Sequence, residues 1–315
     1  SWENCSFTAW DDDKYFSITA NEENDFTVYL RGSNPTGFSI SDNNEGVSTT
    51  SIYSITESDA KWEDGGDVMA LIDYDNEGNE ITIPNSNCFQ DLFNQADNIT
   101  TVDENLLPAT SLKPYCYSSM FYGCDNLSNV PKLPALTVPE RAYASMFQSC
   151  KKIVNGPEEL KATTLGEYAY SNMFSSCSHL LKPAKIDATS VDEGSCEQMY
   201  SSCTDLQMPN DYALPTALAE GCYSYMFSGC SSITTTCTLS TTSVPTHCYW
   251  ATFRNCTSLT TIKPLTITSI SEGSLEAFRE MFSIENVPQP NYGFSETDGD
   301  DAVVDLESCT DLGGS

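Results

Sequence analysis

Small, apolar and aromatic residues return in one fixed order along the middle of the chain. The stretch Tyr115 to Leu127 reads YCYSSMFYGCDNL, and later copies read AYASMFQSCKKI, YAYSNMFSSCSHL, GSCEQMYSSCTDL, GCYSYMFSGCSSI and HCYWATFRNCTSL. A weaker copy, NCFQDLFNQADNI, precedes it, and a degenerate one follows around Phe278 and Met281. With the last Cys of each copy as anchor, the column runs Ala96, Cys124, Cys150, Cys177, Cys203, Cys230, Cys256 and Met281. Its steps are 28, 26, 27, 26, 27, 26 and 25 residues. A period in this range marks stacked repeats, each one supersecondary unit.

Relative to a small residue i (Cys88, Cys116, Ala142, Ala169, Ser195, Cys222, Cys248, Gly273), Leu or Met falls at i+4 in most copies and an aromatic at i+5. The anchor falls at i+8 and Ile or Leu at i+11. At roughly 100° per residue these positions share one face of a helix of about two turns. So short a helix is marginal alone and needs neighbouring repeats to hold it. The Tyr at i+1 (Tyr117, Tyr143, Tyr170, Tyr223, Tyr249) falls inside the same buried arc. After the helix, segments such as NLSNVPKLPA carry spaced apolar residues, and a second extended segment ends on Leu112, Val138, Leu165, Val191, Leu218, Val244 and Ile270. Pro and Thr there favour extended backbone. Each repeat therefore predicts a short strand, a corner, a short helix and a return, with strands of successive turns parallel and ~4.8 Å apart.

The MF-x-G/S-C-x-x-L run and the preceding Leu-Pro-Ala-Thr-Ser-Leu at 107–112 resemble the BspA-like subgroup of leucine-rich repeats. The resemblance covers about 81–290 and implies an α/β fold, a right-handed leucine-rich-repeat solenoid with a parallel sheet and short helices. It also implies a secreted or surface-attached protein of anaerobic bacteria or mucosal protists, adhesin-like, with no catalytic residues to carry over.

Outside the repeats the pattern changes. Residues 1–80 alternate as strands (YFSITA, FTVYLRG, GFSISD, SIYSITE, VMALIDY) between turn signals such as NEEND and EDGGD, which predicts a small antiparallel β domain capping the stack. Residues 291–315 form an acidic tail. Charge sharpens this division. Residues 1–80 hold 18 acids against three bases, and residues 291–315 hold seven acids and no base. The repeats carry the remaining 20 acids against 11 bases, and the whole chain has a net charge of −31. That disfavours nucleic acid and anionic membranes as partners. No apolar run is long enough to span a bilayer, so membrane insertion is not expected. Asp73-Tyr-Asp75-Asn-Glu77-Gly78 begins like a calcium loop, but Pro84 stands where the twelfth-position Glu belongs. It reads as a tight turn. Asp298-Gly299-Asp300-Asp301 reads as a solvated tail, and no metal or cofactor is expected.

Of the 14 Cys, most fall on the two repeat columns. One column exchanges Cys with Ala, Ser and Gly, so it selects small volume; a free Cys serves as a small buried hydrophobe. Neighbouring turns are also close enough for cross-turn disulfides, and Cys5 and Cys309 lie outside the columns. His179 and His247 sit inside repeats, and His247 precedes a Cys expected to be buried, which argues against a thiol–imidazole nucleophile. No CxxC pair, HExxH or phosphate loop occurs, and no enzyme is expected. Tyr115, Tyr122, Tyr168, Tyr225 and Trp250 fall at positions facing away from the buried arc, where exposed aromatics offer flat apolar faces with a polar handle. They are the candidate binding residues. The expected function is an extracellular or cell-surface protein that binds a host protein or glycan. The alternative is self-association, as a subunit of an extracellular filament or of a phage virion fibre. Sequons at Asn4, Asn98, Asn126 and Asn255 bear on this only where the source glycosylates such sites.

Overall fold

The computed structural model describes residues 68–71, 81–241, 244–263, 265–267 and 277–282. The acidic tail, the calcium-like loop, Cys5 and Cys309 lie outside them, as does the expected amino-terminal β domain apart from 68–71. There, VMALIDY is not a strand at its start, because Val68–Leu71 is a 3-10 turn. Val68 donates its N–H to the Leu106 carbonyl at 3.0 Å, and Val68 and Met69 are both buried. Consecutive apolar residues can enter a core together from a helical turn, whereas a strand would send one of them outward.

The repeats pair in parallel, turn upon turn. Strands β1 (Thr137–Val138), β3 (Thr164–Leu165) and β5 (Ser190–Val191) form one sheet, in register Thr137↔Thr164↔Ser190. Strands β2 (Glu159–Leu160) and β4 (Lys185–Ile186) form a second, and β6 (Leu239–Thr241) and β7 (Leu265–Ile267) a third. These are the parallel pairings that an α/β class predicts. Val138, Leu165 and Val191, the expected ends of one extended segment, are all buried and sit on β1, β3 and β5.

The expected helix is absent. No α-helix occurs among the described residues, and the stretch from i−1 to i+7 is a run of successive tight turns. In one copy Ala144, Met146 and Gln148 donate their N–H groups to carbonyls three residues back, on Arg141, Tyr143 and Ser145. The alternate residues Tyr143, Ser145 and Phe147 donate outward to Ala169, Ser171 and Met173 of the next turn, at 3.1, 2.8 and 2.9 Å. Every fourth residue takes a left-handed φ: Arg141 at 50°, Ser145 at 55°, Ser149 at 66°. The same rhythm recurs at Tyr168, Asn172 and Ser176.

Spacing explains the substitution. An α-helix with side chains is roughly 10–12 Å across. Successive turns here place equivalent aromatic rings only 5.3 to 6.0 Å apart. Helices cannot lie side by side at that pitch, whereas a flat ribbon of turns can. The ribbon also gives half its N–H groups to the neighbouring turn, so the donors that a short helix would strand at its start are satisfied.

The four-residue rhythm sends i, i+1, i+4, i+5 and i+8 inward in each of the seven complete copies. Two aromatic files result. One runs Phe93, Phe121, Phe147, Phe174, Tyr200, Phe227 and Phe253, with successive centroids 5.3 to 5.7 Å apart. The other starts with Phe89, Tyr117, Tyr143 and Tyr170, at 5.8 to 6.0 Å, and so places the i+1 tyrosines in the core as expected. Cys196 narrows this second file. Tyr212, buried from the following extended segment, packs near it; its hydroxyl donates to the Ala184 carbonyl at 3.0 Å.

The last copy is registered differently from its expected alignment. Phe282, not Phe278, stacks on Phe253 at 5.9 Å, and Phe278 stacks on Tyr249 at 5.6 Å. Phe253 donates its N–H to Met281, so Met281 continues the Met file and is not an anchor. A run with a four-residue internal period matches itself almost as well after a slip of four. The degenerate copy could therefore be aligned one unit early.

Candidate binding face

The outward side of the turn ribbon is built from the left-handed positions and their neighbours. Ser, Asn, Gln and Gly dominate it, including Ser119, Ser145, Asn172, Gln198 and Ser202. Polar side chains of this size tolerate left-handed backbone better than bulky ones. The face thus carries little charge although the chain is strongly acidic. Of its two carboxylates in the complete copies, Asp91 and Glu197, each is held above the usual carboxylate range chiefly by burial.

All five expected binding residues lie on this face and are half-buried. They do not form one site. Tyr115 and Tyr168 share the first left-handed column, with Arg141 between them on the intervening turn. The Tyr115 hydroxyl donates to Glu140 Oε1 at 2.6 Å, and the Tyr168 hydroxyl donates to Glu193 Oε1 at 2.8 Å. Donation to a carboxylate makes each phenol harder to ionise, pushing Tyr168 up to about 12. The Arg141 guanidinium carbon lies 4.3 Å from the centroid of the Tyr168 ring. On the next turn Gly194 has φ +58°, and a Cβ there would fall 2.3 Å from Tyr168 Cε1, so the ring needs glycine beneath it. Tyr168 is therefore clasped between Arg141 and Gly194 and offers mainly its hydroxyl end.

Tyr225 and Trp250 do come together, with centroids 5.3 Å apart, and His247 lies 5.1 Å from Trp250 on its own turn. His247 Nδ1 is 3.7 Å from Glu220 Oε1. The Trp250 Nε1–H is enclosed without an acceptor among the described residues. Tyr122 stands apart, in a different column from either group; its carbonyl accepts the Gln95 N–H at 2.6 Å. Sequence reasoning overlooked Arg141, Glu140, Glu193 and Gly194, although Arg141 and Gly194 occupy the Tyr115 and Tyr168 column and were legible there.

The thiols form a separate arrangement inside. Among the described residues all twelve Cys are free and buried. Each anchor Cys donates its S–H to the carbonyl of the file aromatic one turn back: Cys124 to Phe93, Cys150 to Phe121, Cys177 to Phe147 and Cys203 to Phe174, all at 3.0 Å. Cys230 and Cys256 do the same to Tyr200 and Phe227, at 3.1 and 3.2 Å. In these six copies the anchor column thus holds a small group that is also a donor. Cys248 lies against Cys222 Sγ rather than His247, in keeping with a buried structural thiol.

Burial raises these thiols above their ordinary value of 9.0, to about 12 at Cys124, Cys177 and Cys256. An unfolded chain loses those protons near pH 9, while the folded one keeps them, so stability is intact below pH 9 and drains away toward pH 12. The urea midpoint of the reduced protein should fall steadily across that window, and Cys177→Ser, which removes one titrating thiol but keeps a donor, should make the fall shallower. A flat midpoint from pH 9 to 12 would contradict the buried-thiol column.

Among the described residues no group of three or more His, Cys, Asp or Glu could hold a metal ion, and no helix is long and apolar enough to cross a membrane. No protein-family model matches the chain, and no curated protein and no solved structure matches it either.

Proposed function

We propose that the chain is a BspA-like leucine-rich-repeat solenoid and that it acts, outside the cell or on its surface, as a non-enzymatic binding protein for a host protein or glycan. The observation carrying this reading is the Tyr225, Trp250 and His247 cluster on the weakly charged ribbon face. The half-buried rings offer a flat apolar surface, which suits a ligand that brings a flat hydrophobic patch of its own, as sugars and peptides do. The hydroxyls and amides around it suit the same partners.

Binding to mucin, to matrix proteins and to a glycan array tests it. A ligand from one of these classes should lose at least tenfold in affinity with Trp250→Ala, while the far-UV circular dichroism of the chain is unchanged. Failure of every class to bind, or binding indifferent to Trp250, sinks the reading.

A second reading, a filament or virion-fibre subunit, is favoured by one observation. The ribbon's cross-turn hydrogen bonds run one way, from the N–H groups of one turn to the carbonyls of the next. Head-to-tail growth of copies would follow that same polarity. Concentration-dependent sedimentation separates the two readings, because a monomer that persists at high concentration excludes assembly.

A further inference from the structure

We propose that Cys222 and Cys248 form a cross-turn disulfide when the chain folds in an oxidising medium. The two occupy the same small-residue column on successive turns, since Tyr223 donates its N–H to the Cys248 carbonyl and Tyr117 pairs in the same way with Ala142. Their Sγ atoms lie 3.4 Å apart. Parallel neighbours in a ladder sit ~4.8 Å apart, inside the Cα separation a disulfide spans. The sulfurs must approach to the bonded distance of about 2.05 Å, a movement of the side chains and a slight drawing-in of the two turns.

What distinguishes this pair from the anchor column is the partner of each thiol. There every S–H is engaged by a carbonyl at 3.0 to 3.2 Å, so forming a bond along that column would strip a donor from the aromatic file. Cys248 has Cys222 Sγ as its partner, and Cys222 Sγ additionally receives the Ala219 N–H at 3.5 Å. Joining them replaces a weak sulfur contact and leaves the Phe carbonyls served.

Both sulfurs are fully buried in the folded chain, so a soluble oxidant reaches them only before the turns close. The oxidant is a low-molecular-weight disulfide such as oxidised glutathione. The thiolate of one Cys attacks it, forming a mixed disulfide and expelling one glutathione thiolate. The second Cys thiolate attacks the protein-side sulfur, forming the Cys222–Cys248 bond and expelling the second glutathione thiolate. The two protons given up by the cysteines end on the two glutathione thiols. Two cysteines are oxidised and one disulfide is reduced.

The full chain is unfolded, reduced, refolded with a mixture of oxidised and reduced glutathione, blocked with iodoacetamide and digested without reductant. Mass spectrometry should find most of the Cys222 and Cys248 peptides joined to each other. The same treatment of already folded, reduced protein should leave both thiols unreacted over the same hours. In urea, the oxidised wild type should unfold at a higher midpoint than the reduced one, and the Cys222→Ala, Cys248→Ala double variant should show no such difference. Recovery of both peptides alkylated after oxidative refolding, or joined chiefly to other cysteines, overturns the proposal. The wild-type peptide result decides the matter even where the double variant folds poorly.

Discussion

Phe174→Ala should cost about 3–5 kcal/mol, the range for truncating a buried aromatic that its surroundings cannot collapse onto. Phe174 has no exposed surface and stands in the middle of its file, between Phe147 at 5.4 Å and Tyr200 at 5.7 Å. Deleting the ring therefore removes two ring contacts as well as its own burial, and the rings on either side are held by their backbone ladders and cannot slide in to fill the gap. Its carbonyl also receives the Cys203 thiol, so any shift of the ribbon disturbs a second file. Tyr168→Ala is the matched control, six residues earlier on the outward side. It loses a hydroxyl bond to an exposed carboxylate and an Arg contact, interactions worth about 1 kcal/mol or less at a surface. Urea denaturation of the two variants checks the pair. Because stacked repeats need not unfold in one step, the midpoint of the main transition is the quantity to compare. Equal losses would mean that the inward and outward sides of the ribbon are wrongly assigned.

Ser176→Pro should be nearly as damaging, at about 3 kcal/mol or more. Ser176 holds φ at 62°, a value closed to proline, and its N–H donates to the Ser201 carbonyl at 2.7 Å. The substitution breaks the turn and cuts one rung between two copies. Ser176→Gly at the same position separates conformation from side chain. Gly123 and Gly229 already occupy this column, at 70° and 75°. Glycine removes the steric cost of left-handed backbone, about 1–2 kcal/mol, while loosening the unfolded chain by a similar amount. The glycine variant should therefore stay within about 1 kcal/mol of the wild type. Were the segment an α-helix, the Ser176→Gly change would cost up to about 1 kcal/mol through helix propensity alone and left-handed geometry would offer no relief. Tolerance of Pro at 176, or a marked loss with Gly, would contradict the ribbon.

The amino-acid sequence by itself determined the repeat, its period and its inward residues. Cys116, Met120, Phe121, Cys124 and Leu127 are all fully buried, and so is the i+1 Tyr117. Periodicity carries that information because burial at one turn obliges burial at the same place on the next. The outward face of the ribbon was legible as a set of positions. The grouping of Tyr225 with Trp250, and the clasping of Tyr168 by Arg141 and Gly194, were not. Those depend on where each side chain points once two turns are stacked.

The conformation of the run was decided only in three dimensions. Buried positions at i, i+4, i+5 and i+8 fit a helical face of 3.6 residues per turn and a ribbon of four almost equally well. Spacing within one copy cannot separate them. The Ser, Asn and Gly at i+3 and i+7 favour four, but they become decisive only with the distance between turns. At no more than 6.0 Å from ring to ring there is no room for a helix on every turn, and the backbone answers by sending alternate N–H groups to its neighbour. The same dependence on neighbours set the register of Phe282 and the partner of each thiol, since both are properties of two turns together and of neither alone.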